Sequence, residues 1–190
     1  DVSKNIELKE LDCSINQLTE LDITKNILLD SLACYSNQLT ELDIANNIKL
    51  RHLYCSKNKL NNLDISKNIE LKKLDCSKNQ LTILDVSKNI RLRNLYCSKN
   101  QITELDISKN KSLDVLSCFE NKLTSLDISP IYLRTLFCCD QAEGFILYLT
   151  KEQKNTFDEA NYCDAILKER QKSICEIEWL DIYPNPTSGK

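Results

Sequence analysis

Residues 50–60 read LRHLYCSKNKL, and the same pattern returns at residues 71–81 (LKKLDCSKNQL) and 92–102 (LRNLYCSKNQI). Cysteine recurs every 21 residues from Cys13 to Cys118, and Cys138 continues the series one residue early. In each copy, leucine and cysteine flank one other residue, which is the period of a strand with one buried face. Because a single such unit cannot bury its own leucines, the copies are predicted to stack as parallel strands.

The cysteine column is predicted to be part of the core. Cysteine behaves as a small apolar residue and is among the most buried residue types. Stacked rungs give the thiols parallel Cβ vectors, which fit disulfide geometry poorly, and a linear stack does not converge as zinc ligands must. We therefore predict no metal site here. The members of this column are Cys13, Cys34, Cys55, Cys76, Cys97, Cys118 and Cys138.

An asparagine stands three residues after each of the first six cysteines. A buried amide at a turn can satisfy both N–H and C=O groups of its own rung and of the neighbouring one. Such a ladder also fixes the register, because a slipped rung would leave each amide unpaired. The members of this column are Asn16, Asn37, Asn58, Asn79, Asn100 and Asn121.

The pattern L-x-x-L-x-C-x-x-N-x-L resembles the leucine-rich repeat, with cysteine in the third apolar position. The second half of each copy, such as Leu63-Asp64-Ile65 followed by Asn68, resembles the first half, as in the nested 21-residue repeats described as IRREKO-type. The resemblance covers residues 1–139 and implies a mostly β solenoid, with stacked parallel strands and a second short strand in each coil. The first residues read as the second half of a repeat, so the array is expected to extend upstream.

Six aspartates form a further column, from Asp22 to Asp127. Carboxylates about 4.8 Å apart repel one another, so their charge needs an offset. Neighbouring hydroxyls and lysines, such as those of Thr24 and Lys25, are the predicted source. Calcium binding is the alternative, although the Gly-rich turns of calcium β-rolls are absent.

The variable positions on the outer face of the strands carry the candidate binding residues. Exposed aromatic and arginine side chains are the usual anchors of protein interfaces. The alternative interpretation is that these rings only pair across strands and support the sheet. The candidates are Tyr35, Arg51, His52, Tyr54, Lys73, Arg93, Tyr96, Phe119 and Phe137.

Repeat order ends after Cys138, and residues 140–182 are predicted to form a C-terminal cap. Gly144–Leu149 indicates a last strand, and the Thr150/Gln153 pair forms a capping box that predicts a helix from about Lys151. Cys163 and Cys175 are either a disulfide or two free thiols.

Residues 183–190, YPNPTSGK, resemble the truncated start of the C-terminal sorting domain of type IX secretion substrates of Bacteroidota, a domain that normally continues for dozens of residues. This resemblance implies export and a secreted or outer-membrane-attached location.

The composition argues against several classes of function. The net charge of −3 predicts no general attraction to nucleic acid, and no apolar run is long enough to span a membrane. With one histidine, His52, and two glycines, the chain has little material for a catalytic triad or a phosphate loop, so neither an enzyme nor a cofactor is expected. We predict a monomeric, non-catalytic recognition module for a protein or a glycan. A structural spacer without a ligand is the alternative.

Overall fold

The computed structural model describes residues 1–156, 165–170 and 179–180. A seven-stranded sheet runs along one side of the molecule in the order β1-β2-β3-β4-β5-β6-β8, and a four-stranded sheet has the order β11-β10-β9-β7. The strands of the first sheet are β1 (Glu10–Asp12), β2 (Ser31–Ala33), β3 (His52–Tyr54), β4 (Lys73–Asp75), β5 (Asn94–Tyr96), β6 (Val115–Ser117) and β8 (Thr135–Phe137). The other elements are β7 (Ser125–Asp127), β9 (Ile146–Leu149), α1 (Lys151–Lys154), β10 (Ile166–Arg170) and β11 (Trp179–Leu180).

The stacking of parallel strands is as the sequence predicts. Leu53 of β3 has Leu32 and Leu74 as its register partners, each 21 residues away. The backbone ladder continues beyond the three-residue strands, since the N–H of Cys55 donates to the carbonyl of Asp75 at 2.8 Å and that of Lys57 to Ser77 at 2.9 Å. Each repeat is therefore one coil of a parallel β-solenoid.

One hydrophobic core fills the coils from end to end. Six side chains of each inner repeat point inward, and in the third repeat none of them is more than 5% exposed. Burying one such leucine or isoleucine contributes about 1.5–3 kcal/mol, so each added coil supplies its own hydrophobic stabilisation. The six residues of the third repeat are Leu50, Leu53, Cys55, Leu60, Leu63 and Ile65.

The cysteine column lies in this core, with one correction at its first member. Cys34 to Cys138 are buried and not disulfide-bonded, whereas Cys13 is only partly buried. Burial raises the pKa of the Cys34 thiol to about 12. Cys139, the residue after the last member of the column, is disulfide-bonded. The Cys163 and Cys175 pair lies outside the described residues.

The first asparagine column bonds the coils together as predicted. Asn58 accepts a hydrogen bond from the N–H of Leu39 at 3.0 Å and donates to the carbonyls of Cys34 at 3.0 Å and Cys55 at 3.1 Å. Asn16 departs from this pattern: it is exposed, and its side chain bonds only to the carbonyls of Cys13 and Ser14 in its own turn. Gln141 holds the seventh position and donates to the carbonyl of Cys118 at 2.8 Å.

The second half of each coil differs from the prediction. Among the described repeats, it forms a regular strand only at β7, which pairs in parallel with β9. As Asp127 does in the coil of β7, the aspartate of each earlier coil accepts the N–H two residues later, for example Asp64 from Ser66 at 2.9 Å. The next asparagine takes the place of ladder bonds, since Asn68 donates to the carbonyls of Ile44 and Asn47, each at 3.0 Å.

The C-terminal cap begins with the predicted strand and helix. β9 continues the second sheet and pairs in parallel with β10, which pairs antiparallel with β11. Helix α1 is a single turn whose capping box is complete: the Thr150 hydroxyl accepts the N–H of Gln153 at 3.3 Å, and the Gln153 side chain accepts the N–H of Thr150 at 2.6 Å. Residues 183–190 lie outside the described residues.

Candidate functional site

The outer face of strands β3, β4 and β5 brings three of the predicted residues together. Tyr54 and Tyr96 are register partners of Asp75 on either side of β4. Lys73 lies on the same face of β4, because it is two positions before Asp75 along a strand, with Leu74 between them. Its Nζ lies 5.0 Å from the centroid of the Tyr54 ring and 5.7 Å from that of Tyr96. We call Tyr54, Lys73, Asp75 and Tyr96 the central cluster.

In the central cluster, contacts with two tyrosine rings fix the position of the Lys73 ammonium group. A lysine ammonium above a tyrosine face gains about 0.5–1 kcal/mol at an exposed site. Lys73, Tyr54 and Tyr96 are all partly buried, and Asp75 supplies a carboxylate between the two rings. The cluster thus presents one cation, one carboxylate and two phenol hydroxyls on a rigid parallel sheet.

The other basic candidates surround this cluster. The guanidinium of Arg51 forms a two-point ion pair with Asp30, one of its bonds reaching Asp30 Oδ2 at 2.8 Å. This contact holds the pKa of the Asp30 carboxyl below its usual value. Arg93 is exposed. His52 is the register partner of Lys73, and its side chain makes no hydrogen bond with another described residue.

The remaining aromatic candidates lie outside the central cluster. Tyr35 follows β2 and Phe119 follows β6, while Phe137 on β8 is 44% exposed. The Phe119 ring has the Nζ of Lys99 at 5.6 Å, and Lys99 also pairs with Glu120 at 2.6 Å. The aromatic set predicted from the sequence is therefore divided into one central cluster and separate outer residues.

Several residues of this face were missed by sequence reasoning. Asp75 and Lys99 complete the two cation–ring groups, and Ser98 and Ser117 form a buried hydroxyl pair at 2.8 Å. The signal for Asp75 was present, since it stands between two tyrosines in its column. The reach of Lys99 to the next rung depends on its side-chain conformation, for which the sequence has no signal.

A second surface was also missed. Isoleucine follows the second asparagine of five successive copies, and each of these side chains is between 52% and 57% exposed. The signal was the repeated Asn-Ile pair, visible in the sequence. These residues form an apolar stripe along the turns, consisting of Ile6, Ile27, Ile48, Ile69 and Ile90.

The aspartate column is neutralised locally, as predicted. The hydroxyl and backbone N–H of Thr24 both bond to Asp22 and hold the pKa of that carboxyl below its usual value, with a smaller contribution from Lys25. Hydrogen bonds from Ser87 and the charge of Lys88 do the same for Asp85, although the neighbouring Asp64 opposes them. Each carboxylate is thus engaged by its own turn.

Residues 1–156, 165–170 and 179–180 contain neither a metal-binding cluster nor a membrane-spanning helix. No group of three or more His, Cys, Asp or Glu side chains in them is placed to hold a metal ion. No helix in them is long and apolar enough to cross a membrane.

Comparison with solved structures shows which fold this is. The functional domain of InlJ from Listeria monocytogenes, which includes a cysteine ladder, is 32% identical over 88% of this chain, with a TM-score of 0.71. The internalin InlF from the same organism is 23% identical over 75% of this chain, with a TM-score of 0.67. This chain spans 40% of the InlJ domain and 45% of InlF.

A plant protein shares the fold as well. The leucine-rich-repeat ectodomain of the receptor kinase GASSHO1/SCHENGEN3 from Arabidopsis thaliana, solved in complex with CASPARIAN STRIP INTEGRITY FACTOR 2, is 22% identical. The match covers 77% of this chain and 19% of that one, with a TM-score of 0.66. No protein-family model matches the chain, and no curated protein matches it significantly. The fold is a leucine-rich-repeat solenoid with a cysteine ladder.

Proposed function

We propose that this solenoid is a non-catalytic recognition module that binds a protein or glycan through the outer face of β3, β4 and β5. The observation that carries the proposal is the central cluster, in which Lys73 lies between the rings of Tyr54 and Tyr96. Tyrosine and charged groups held on a rigid sheet lose little conformational entropy when they bind a partner. The ectodomain bound to CASPARIAN STRIP INTEGRITY FACTOR 2 supports a binding role for this fold.

A location outside the cell is the second part of the proposal. It is supported by the resemblance of residues 183–190 to a type IX sorting domain and by the likeness to internalins and to a receptor ectodomain. Removing residues 183–190 in a host that has this secretion machinery should leave the chain inside the cells. Unchanged surface display of the shortened chain would contradict this part.

The binding role is tested by a matched pair of variants. Wild type, Tyr54→Ala/Tyr96→Ala and Tyr132→Ala should be screened against extracellular proteins and glycans displayed on an array. Tyr132 is the control because it is 70% exposed and precedes β8, so it lies outside β3, β4 and β5. We expect a partner that binds wild type and Tyr132→Ala but does not bind Tyr54→Ala/Tyr96→Ala. Circular dichroism should show that all three proteins are equally folded.

The spacer is the competing function. In that case the outer face has no ligand, and the tyrosines serve only to support the sheet. Retained binding by Tyr54→Ala/Tyr96→Ala, or the absence of any partner on the array, would favour the spacer.

A further inference from the structure

The outer face of the three central rungs is strongly basic, although the whole chain carries a net charge of −3. Residues 51–57, 72–78 and 93–99 contain seven lysines and arginines and one carboxylate, that of Asp75. Six of these cations lie along the two margins of the face, and Lys73 lies at its centre. Arg51, Lys72 and Arg93 precede the strands, and Lys57, Lys78 and Lys99 follow them.

Several of these cations have no partner within the part of the chain that the structure describes. Arg51 pairs with Asp30 and Lys99 with Glu120, whereas Lys57, Lys78 and Arg93 are in no ion pair with a described residue. Lys57 and Lys78 stand at equivalent positions of adjacent rungs, whose backbones are about 4.8 Å apart, so their like charges repel each other. An anionic partner would relieve this repulsion.

Two features of the central cluster narrow the kind of partner. Lys73 lies over both tyrosine rings, so these rings are not open platforms on which a sugar can stack. At the centre the charges of Lys73 and Asp75 offset each other, so the middle of a uniform polyanion such as nucleic acid or a sulfated glycan gains no attraction there. The site fits anionic groups at its two margins and uncharged groups at its centre.

The spacing of the margins fits a short peptide. Lys57 lies six positions after Arg51, and an extended chain rises about 3.3 Å per residue, so the margins lie at most about 20 Å apart. A peptide of about eight residues with acidic ends spans this distance. Charges at such margins steer encounter and select the partner.

We infer that the partner of this face is an acidic polypeptide segment, with carboxylates on both sides of an uncharged centre. This inference rests on the proposed recognition function and specifies its ligand. The ion pairs are formed with Lys57 and Lys78 at one margin and with Arg93 at the other, and the central cluster supplies hydrogen bonds to the uncharged centre.

The test is an NMR titration of the whole chain with the octapeptide Glu-Glu-Ser-Ala-Ala-Ser-Glu-Glu. We expect amide shifts confined to residues 51–57, 72–78 and 93–99, and an affinity that falls several-fold as salt rises and shortens the Debye length from about 10 Å at 0.1 M towards 3 Å at 1 M. Lys57→Gln/Lys78→Gln/Arg93→Gln should bind about tenfold more weakly. Lys25→Gln/Lys49→Gln/Lys67→Gln, which removes the same charge outside the three central ranges, should bind as wild type does.

Three outcomes would overturn the inference: no shifts with the octapeptide, equal weakening by both triple variants, or tighter binding of a heparin fragment than of the octapeptide. None of these outcomes contradicts the proposed recognition function if the array identifies a partner that Tyr54→Ala/Tyr96→Ala does not bind. Conversely, if that double variant keeps its partner, the proposed function fails whatever the octapeptide does.

Discussion

Gln153 of helix α1 donates its side-chain Nε2–H to the carbonyl of Ile131 at 2.6 Å. A second bond of the same group reaches the carbonyl of Ile128 at 2.8 Å. Two coils earlier, Asn110 makes the equivalent bonds to the carbonyls of Val86 at 3.0 Å and Asn89 at 2.9 Å. The cap therefore continues the second asparagine ladder with a glutamine that comes from a helix.

Gln153→Glu should destabilise the protein by about 3 kcal/mol at neutral pH, because a buried carboxylate oxygen then faces two carbonyls that have lost their donor. The capping-box acceptor of Thr150 is kept, so the effect combines the loss of the two ladder bonds with the burial of a charge. The free energy of unfolding in urea measures the change. Lys151→Gln, an exposed change of equal charge in the same helix, should cost less than about 0.5 kcal/mol. Equal stability of both variants would disprove the continuation of the ladder.

The parallel sheet, its register and the first asparagine ladder could be predicted because they follow directly from the 21-residue period. The second strand was predicted in every coil from its apolar alternation, but among the described residues it forms only at Ser125–Asp127, where β9 is the pairing partner. Gln141 and Gln153 were missed as ladder members because each stands outside the period or replaces asparagine. In the candidate site, the columns predict that Tyr54, Asp75 and Tyr96 are neighbours, but the position of the Lys73 ammonium between the rings depends on its rotamer.

In the turn after each cysteine strand, one residue has a left-handed backbone conformation, and none of these residues is glycine. In the first turn this residue is Ile15, with φ of 55°. A β-branched residue is strained in this region, whereas glycine adopts it freely. Ile15→Gly should therefore stabilise the protein, by about 0.5–1 kcal/mol. The ladder bond from its N–H to Tyr35, at 2.9 Å, is kept.

Ile83→Gly is the matched control, because Ile83 is 72% exposed, as Ile15 is at 73%, and its φ is not positive. There the added freedom of the unfolded chain should lower stability, by about 0.5–1 kcal/mol. Thermal melting of both variants beside wild type measures the difference. A loss of stability in both would show that the left-handed conformation of Ile15 carries no strain.

The cysteine column should react unevenly with iodoacetamide in the folded protein. Burial raises the pKa of every thiol from Cys34 to Cys138 and shields each from the reagent. Cys13, the first member of the column, is only partly buried and should be modified first, although burial raises its pKa as well. Peptide mass spectrometry without and with denaturant measures the order. Rapid labelling of Cys76 or Cys97 in the folded protein would contradict the core assignment.

The aspartate column should make stability depend on acid. The pKa of Asp85 is lowered in the folded state by hydrogen bonds from Ser87, so its stabilising contribution is present above the unfolded value of about 3.9 and is lost as the pH falls through the folded value. Ser87→Ala removes the hydroxyl bond and should raise this pKa part of the way. The variant should be less stable than wild type at pH 7, with the difference narrowing near pH 2.

A pH series of melting temperatures, with an NMR titration of the Asp85 carboxyl, measures both effects. Thr103→Ala, an exposed hydroxyl outside these turns, should leave the profile unchanged. A difference between Ser87→Ala and wild type that stays constant from pH 7 to pH 2 would show that the hydroxyl acts by some means other than the Asp85 charge.

Calcium should leave the melting temperature unchanged at millimolar concentration. Asp22, Asp64 and Asp85 each accept a hydrogen bond within their own turn, and parallel side chains on a stack of rungs do not converge on one ion as calcium ligands do. An ion that bound the folded state alone would add about 3 kcal/mol at a hundredfold excess over its Kd, which melting detects easily. Magnesium at the same concentration controls for ionic strength. A rise in melting temperature with calcium alone, abolished by Asp64→Asn/Asp85→Asn, would establish a cation site where we expect hydrogen-bonded turns.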